Sequence, residues 1–354
     1  MSQTAAISSL DYDIFAGIDV DKKSLAVTFI DHSKFVRSLK MSYDAQNLMN
    51  YVKNHFQGKR IAFAYEAGPT GYGLYDELIA AGQTCLVVSP ALIPKKPGAM
   101  VKTNRIDSYD TALAIRAGQV ESIRIPAEPY RSLRHLTHLR GDYVDQIKAT
   151  KIRIKALLLF EGIAFPDAGS AWSKKILDAL ASLSCSESIR FELDSLLETL
   201  DFNRKKAAKV LKEIRRLCKS DKDVSDSLRY LTSIVGIGTI TAVHVLARLG
   251  DWRQLRNSDE IGAYFGLVPR ENSTGDTVHK GRITRAGDSR VRSMLVEAAW
   301  VAIRLDSELA QYFERIKSKN NIRYASRIAI VAVARKLTKR IYSVLTERRE
   351  YVVR

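Results

Sequence analysis

Cysteine is scarce in this chain of 354 residues, which contains only three, Cys85, Cys185 and Cys218. They are too few and too scattered for a disulfide framework, and no CxxC pair suggests a zinc site. The longest apolar run, Ile328–Ala334, is far below the ~18 residues of a membrane span. Met1–Leu10 has neither the basic nor the apolar region of a signal peptide. We therefore expect a soluble cytoplasmic protein without a membrane partner.

Acidic residues are outnumbered. The chain has 56 Lys and Arg against 39 Asp and Glu, which gives a net charge of +17 and a pI near 9.7. The excess is greatest in residues 226–354, where 18 of 23 basic residues are arginine. Arginine suits bidentate contacts with phosphate. We expect a nucleic-acid partner, and charge that serves solubility alone is the alternative. No Walker A, GxGxxG or GxSxG motif points to nucleotide hydrolysis, dinucleotide binding or esterase chemistry.

Residues 1–125 alternate short apolar runs with helical patterns, which predicts an α/β layer. The expected strands are Ile14–Val20, Leu25–Ile30, Phe35–Met41, Ile61–Tyr65 and Thr84–Val88. The expected helices are Ala45–His55, Tyr72–Ala81 and Ser108–Ala117.

Residues 126–225 change to long helical patterns with apolar residues at steps of three and four, from Leu133 to Leu157 and from Leu193 to Cys218. They predict an antiparallel helical coiled-coil arm, and ordinary bundle helices are the alternative. Residues 226–354 predict a mainly α-helical domain, with long helices over Ser289–Ile316 and Ser326–Arg348. The expected fold class is therefore α/β plus α, in three domains: 1–125, 126–225 and 226–354.

Four carboxylates fall where this layout predicts one edge of the sheet. Asp19 and Glu66 end predicted strands, and Asp107 and Asp110 lie three apart near the start of a helix, where they share a face. Oxygen ligands of this kind suit Mg²⁺, and two such ions can stabilise the attacking and leaving oxygens of a phosphodiester. The alternatives are that Asp19 and Glu66 are strand-end or turn residues and that Asp107 caps the helix, with Asp110 completing the pair.

A polar basic stretch, Gly266–Gly287, contains Ser273 beside Thr274 and Gly275. The cations in and just after it are Arg270, Lys280, Arg282, Arg285, Arg290 and Arg292. A serine hydroxyl among guanidinium groups could attack a phosphate, while the arginines stabilise the developing charge. The alternative is a basic loop that only grips the nucleic-acid backbone.

Gly236 and Gly238 lie inside an apolar run as Val-Gly-Ile-Gly. The pattern resembles a helix-hairpin-helix turn, whose backbone N–H groups approach a phosphate. A plain packing joint between two helices is the competing interpretation.

Taken together in this order, GIDVDKKS, YEAGPTGYG, KTNRIDSYDTALAI, GIGTITA and GLVPRENSTGDTVHKGRITRAGDSRVRSML resemble the DEDD transposases of bacterial insertion sequences. Those proteins are bridge-RNA-guided DNA recombinases, and the Piv-type DNA invertases are their relatives. The resemblance covers nearly the whole chain.

The resemblance implies a RuvC-like, ribonuclease H-like N-terminal domain whose tetrad, Asp19, Glu66, Asp107 and Asp110, binds Mg²⁺. It also implies a C-terminal transposase domain with a nucleophilic serine. Many members have two serines before the glycine, and here Ser273 is the only serine candidate. The implied partners are donor and target double-stranded DNA, a noncoding guide RNA, and further copies of the chain in a dimer or tetramer assembled through the arm. Composite sites would then join one protomer's tetrad to another's serine.

The expected activity is site-specific DNA recombination through a phosphoserine intermediate. A metal-dependent nuclease of the Holliday-junction resolvase type, without a covalent intermediate, is the alternative. A nucleic-acid-binding protein with a degenerate site is a further one.

Overall fold

The structure is a computed structural model, and it describes residues 8–91, 93, 103–167, 172–271, 280–319 and 323–352. The chain divides into two compact units, Met1–Ile125 and Pro126–Arg354. A separate domain at residues 126–225 stays a prediction.

The first unit is built on a mixed sheet of five strands in the order β3-β2-β1-β4-β5. The strands are β1 (Ile14–Val20), β2 (Ser24–Ile30), β3 (Phe35–Ser42), β4 (Ile61–Glu66) and β5 (Thr84–Val88). β1, β2 and β3 pair antiparallel, whereas β4 runs parallel to both β1 and β5. The central strands are almost wholly buried, because helices cover both faces of the sheet. All five predicted strands are confirmed to within one residue at each end.

Three helices pack on this sheet: α1 (Ala45–His55), α2 (Gly73–Ala80) and α3 (Asn104–Arg116). Leu48 of α1 and Leu74 of α2 belong to the core on one face, and Ala112 of α3 belongs to the core on the other. α3 begins four residues before the predicted start at Ser108, because the Thr103 hydroxyl accepts a hydrogen bond from the Ile106 N–H at 3.3 Å. The proposal that Asp107 caps this helix is therefore wrong, and Asp107 lies in its first turn.

The second unit is mainly helical. Its helices are α4 (Tyr130–Phe160), α5 (Lys174–Ala181), α6 (Glu187–Ser220), α7 (Lys222–Thr232), α8 (Thr239–Leu249), α9 (Ser258–Tyr264), α10 (Ser289–Leu305), α11 (Ser307–Lys319) and α12 (Ala325–Glu347). A small antiparallel hairpin, β6 (Pro269–Glu271) and β7 (Lys280–Ile283), lies between α9 and α10 along the chain.

α4 and α6 pack along each other in opposite directions. Leu133, early in α4, shares the main core of this unit with Ile214, late in α6. At the far ends of the two helices, Ile154 and Leu193 belong to a separate small core, which α5 completes. This geometry confirms an antiparallel helical pair, and a supercoiled coiled coil stays a prediction.

The single helix predicted over Ser289–Ile316 is wrong, since the chain breaks at Asp306 between α10 and α11. Asp306 is buried, and its carboxylate accepts a hydrogen bond from the Leu309 N–H at 3.0 Å. The other carboxylate oxygen pairs with Arg340 of α12 at 2.6 Å. Because the Asp306 side chain caps α11 and pairs with α12, α10 ends at the residue before it.

Candidate active site

Two of the candidate carboxylates end neighbouring parallel strands. The register of β1 and β4 pairs Ile18 with Tyr65, and Asp19 and Glu66 are the next residues on each strand. Residues in register on parallel strands project from the same face of a sheet, so Asp19 and Glu66 share a face. Both residues are partly exposed at the carboxyl end of their strand. The prediction that strand ends bring them to one edge agrees with this register.

α3 covers that same face. Gly17 lies two residues before Asp19, and a Cβ atom added there would be 2.0 Å from the Ser108 carbonyl oxygen and 2.5 Å from the Ala112 nitrogen. The helix backbone therefore lies directly on β1. The Ser108 hydroxyl also forms a buried hydrogen bond of 2.8 Å with the hydroxyl of Thr28 on β2. Only a residue without a side chain at position 17 permits this approach.

The start of α3 lies at the edge that holds Asp19 and Glu66. At its other end, Arg116 donates a hydrogen bond of 3.2 Å to the Asp31 carbonyl, which follows β2 beside the beginning of β1. The helix therefore runs against the direction of β1, and its first turns reach the carboxyl edge.

One flank of α3 is turned towards β3, because the ring of Tyr109 packs against Phe35 at 6.3 Å between centroids. Helical geometry puts Asp107 on the opposite flank, towards β4, with Asp110 about one turn further along it. The strand register and the helix direction thus bring the first turns of α3 towards the ends of β1 and β4, and a single site formed by all four carboxylates stays a prediction.

The four side chains do not form a closed ligand cluster. Within the ranges that the structure describes, no three His, Cys, Asp or Glu side chains stand close enough together to hold a metal ion. The chemistry of the donor set still fits a hard divalent cation, since all four groups offer carboxylate oxygens. Anionic side chains repel one another until a cation neutralises them.

Ser273 lies outside the described residues, in the segment 272–279 between the two strands of the hairpin. Lys280 begins β7. Three of the candidate cations lie on or beside this hairpin with exposed side chains. They are Arg270, whose guanidinium donates a hydrogen bond of 3.4 Å to the Thr284 carbonyl, Arg282 and Arg285. The described part of the hairpin thus presents guanidinium groups to solvent on both sides of the predicted nucleophile in sequence.

The other two candidate arginines have partners within the second unit. Arg290 forms an ion pair of 2.6 Å with Asp145 of α4. Arg292 donates hydrogen bonds of 3.0 Å to the carbonyls of Phe265 and Ala286. In the sequence they are two more cations, and only the fold shows which groups hold them. Their contact with nucleic acid stays a prediction.

The two glycines of the turn before α8 differ in their surroundings. Gly236 has a φ of 91°, and a Cβ atom there would be 2.3 Å from the Ala298 carbonyl of α10. Gly238 is the N-cap residue of α8, no atom lies within 4 Å of the place of its absent Cβ, and no side chain caps the helix. Gly236 therefore serves the packing joint, whereas no contact among the described residues requires a glycine at position 238.

Arg140 of α4 and His244 of α8, which have no predicted role, line one cavity together with Arg290. Burial and the nearby Arg290 guanidinium lower the pKa of Arg140. Burial, followed by the charges of Arg140 and Arg290, lowers the pKa of His244 to about 4. An arginine in a heptad-like helix and a histidine in an apolar one were the only signals that the sequence offered.

Known proteins show strong similarity to this chain. A family model described as "Transposase" matches residues 16–161, and one described as "Transposase IS116/IS110/IS902 family" matches residues 228–314. The "Putative transposase y4qE" of Sinorhizobium fredii is 32% identical over 301 residues, which cover 82% of this chain and 72% of that protein. This chain belongs to the IS110 family of DEDD transposases.

Two further relatives match most of this chain. The transposase for insertion sequence element IS1328 of Yersinia enterocolitica is 29% identical over 271 residues, 75% of this chain and 78% of that one. The pilin gene-inverting protein of Moraxella bovis is 22% identical over 347 residues, 95% of this chain and 97% of that one. The resemblance found in the sequence motifs is thus confirmed, and the protein is a DNA transposase of a mobile element.

A search of the described helices for a membrane-spanning segment finds none with the necessary length and hydropathy.

Proposed function

We propose that this IS110-family transposase is a site-specific recombinase in which Asp19, Glu66, Asp107 and Asp110 hold a divalent cation and Ser273 attacks DNA. The observation that best supports the proposal is the close packing of α3 on Gly17, since it brings a helix with two carboxylates to the strand edge with the other two. The strand order β3-β2-β1-β4-β5 supports a RuvC-like, ribonuclease H-like fold for the first unit.

Through the cation that they hold, the tetrad residues would position the reacting phosphodiester. A bound divalent ion, Mg²⁺ in this proposal, supplies a Lewis acid that stabilises charge on the attacked phosphate and on the leaving oxygen. The four carboxylates hold such a cation in place of water. Their partly exposed position at the edge of the sheet leaves room for a DNA backbone beside them.

Ser273 would be the nucleophile. Its Oγ forms a bond to phosphorus, the bond between phosphorus and one deoxyribose oxygen breaks, and the serine proton ends on that released hydroxyl. The phosphoserine link conserves the bond energy until a deoxyribose hydroxyl of another strand attacks phosphorus and releases the serine. Exposed Arg270, Arg282 and Arg285 would stabilise the negative charge that develops on the phosphate oxygens.

Sequence choice would come from RNA. In this proposal a noncoding bridge RNA from the element pairs with donor and target DNA, and the protein holds the phosphate backbones of both. The net charge of +17 supports the binding of phosphate backbones. We propose, as the family resemblance implies, that dimers or tetramers bring the tetrad of one protomer to Ser273 of another.

A covalent-adduct assay tests this function. The protein is expressed with its native flanking DNA, so that any guide RNA copurifies, and is incubated with Mg²⁺ and a labelled plasmid that contains the ends of the element. We expect a protein–DNA adduct with the wild type and with Thr274→Ala, and none with Ser273→Ala or Asp107→Asn.

Two results would contradict the proposal. Cleavage retained by Ser273→Ala, with no adduct in the wild type, would instead identify a hydrolytic nuclease of the resolvase type. Full activity of Asp107→Asn would exclude the tetrad from the chemistry. Sequencing of the copurified RNA tests the guide separately, since one enriched RNA from the flank is expected and random cellular RNA would refute it.

A further inference from the structure

Two cavities of the second unit meet at the same pair of side chains. One, of about 430 Å³, lies between α4, α6, α7 and α8, and the other, of about 690 Å³, lies between α4, α8 and α10. Arg140 and His244 line both cavities, and Arg290 lines the larger one. Arg140 and His244 therefore mark the junction of the two cavities.

Three buried nitrogen atoms at this junction have no hydrogen-bond partner among the described residues: Arg140 Nε, Arg290 Nη1 and His244 Nε2. His244 is only 3% exposed. A buried polar group without a partner destabilises the fold, and more so when it is charged. Three such groups at one point, two of them cationic, indicate a site shaped for an anion that accepts several hydrogen bonds.

The packing of α10 on α4 holds Arg290 at this point. A Cβ atom at Gly141 would be 0.9 Å from Arg290 Nη1, so the guanidinium occupies the space that any other residue would fill. Asp145 pairs with the opposite nitrogen, Nη2, at 2.6 Å. The ion pair with Asp145 orients Arg290, and Nη1 lies against Gly141 with no hydrogen-bond partner among the described residues.

The start of α8 adds a second source of positive potential. Thr239 and Ile240, in its first turn, line the smaller cavity, and Gly238 provides no side-chain cap for their N–H groups. The N-terminus of a helix attracts anions through these N–H groups and the helix dipole. Lys148 also lines the larger cavity, while Glu297 and Asp145 are its acidic residues.

We infer that Arg140, His244 and Arg290 form a binding site for one backbone phosphate of a nucleic acid, at the junction of α4, α8 and α10. This inference rests on the proposed function in one respect, that the partner is DNA or RNA. A phosphodiester has two free oxygens, which accept from the two guanidinium groups, and a single negative charge suits a site where Asp145 already balances Arg290. The site lies outside the tetrad and the Ser273 segment, so its role is to position the strand.

The test measures binding without any cleavage. The full chain is titrated, by fluorescence anisotropy over a range of KCl concentrations, against a labelled mixed-sequence DNA duplex and against an RNA hairpin. We expect Arg140→Gln to lower affinity about tenfold and to reduce the slope of log affinity against log salt by about 1. Arg304→Gln, an exposed arginine of α10 that lines neither cavity, is the charge-matched control and should change affinity much less.

Gly141→Ala tests the same site with no change in charge. Its methyl group displaces Arg290 Nη1, so it should weaken binding like Arg140→Gln, and circular dichroism shows whether each variant is folded. An effect on DNA alone, on RNA alone or on both supports the inference and identifies the strand. Wild-type affinity and slope in either folded variant, on both probes, would overturn it. If the wild type forms no Ser273 adduct but both variants still weaken binding, only the proposed chemistry is contradicted.

Discussion

Replacing Gly17 by alanine perturbs the candidate active site without touching any carboxylate. Gly17 lies on β1 two residues before Asp19, and its Cα faces the backbone of α3. A methyl group there would meet the Ser108 carbonyl oxygen at 2.0 Å, whereas ordinary contact begins near 3.4 Å. The obstacle is helix backbone, which cannot rotate away as a side chain does.

The size of the effect follows from these distances. Restoring normal contact requires α3 and β1 to separate locally by about 1.4 Å. Overpacking of this kind costs roughly 1–3 kcal/mol of the free energy of unfolding. The displacement also moves Asp107 relative to Asp19, and an error of about 1 Å in a catalytic group costs about a hundredfold in rate. We therefore expect DNA cleavage to slow by about two orders of magnitude while the protein stays folded.

The assay combines urea unfolding with single-turnover cleavage of a plasmid that contains the element ends. Gly73→Ala is the matched control in the same unit, because the nearest atom to its new Cβ is the Tyr43 hydroxyl at 3.5 Å. It should cleave like the wild type. Cleavage at the wild-type rate by a folded Gly17→Ala variant would refute the argument that the position of α3 determines the site.

Two further predictions concern stability. The pKa of His244 is lowered to about 4 by burial and by Arg140 and Arg290, so the folded protein keeps this group neutral while the unfolded chain protonates near pH ~6.5. Stability from this group is therefore full above that pH and falls as the pH drops towards 4, by about 2 kcal/mol at pH ~5 in urea unfolding. Arg340→Leu leaves the Asp306 carboxylate buried without its cation, and we expect a loss of about 3–5 kcal/mol by the same measurement.

Each stability prediction has its own control. His244→Gln should remove this part of the acid dependence, and an unchanged pH profile in that variant would contradict the assignment to His244. Arg335 lies on the same helix as Arg340 and forms a more exposed ion pair with Asp259 of α9. Arg335→Leu breaks that pair and should lower the free energy of unfolding by less than about 1 kcal/mol. If Arg340→Leu and Arg335→Leu lower the free energy of unfolding equally, burial of the ion pair with Asp306 does not determine its contribution.

The sheet of the first unit was predictable because its signals are local. β1, β4 and β5 are short, mostly apolar runs bounded by polar or turn residues, and the chain returns to the sheet after α1 and α2. The edge with Asp19 and Glu66 follows from strand ends alone. The start of α3 was harder, since Asn104–Asp107 lack an apolar period and the decisive feature is the hydroxyl of Thr103.

Features that depend on distant residues could not be predicted. Apolar periodicity continues across Asp306, and the break there depends on Arg340, which lies 34 residues further along the chain. In the same way, the sequence shows Arg290 as one more cation of a basic stretch, and only the fold reveals Asp145 beside it. The close approach of α3 to Gly17 joins residues about 90 positions apart and leaves no local signal except a glycine in a strand.

The separate small core at the far ends of α4 and α6 has a consequence for local unfolding. Its buried residues are Ile154, Leu158, Ile176, Leu180, Leu193 and Leu200. They are far fewer than those of the main core, so opening this end exposes little apolar surface and requires much less free energy than global unfolding. Amide hydrogens in α5 and in the adjoining turns of the two long helices should therefore exchange with solvent while those of α8 and α12 remain protected, and this end of the helical pair can open and close as a unit of its own.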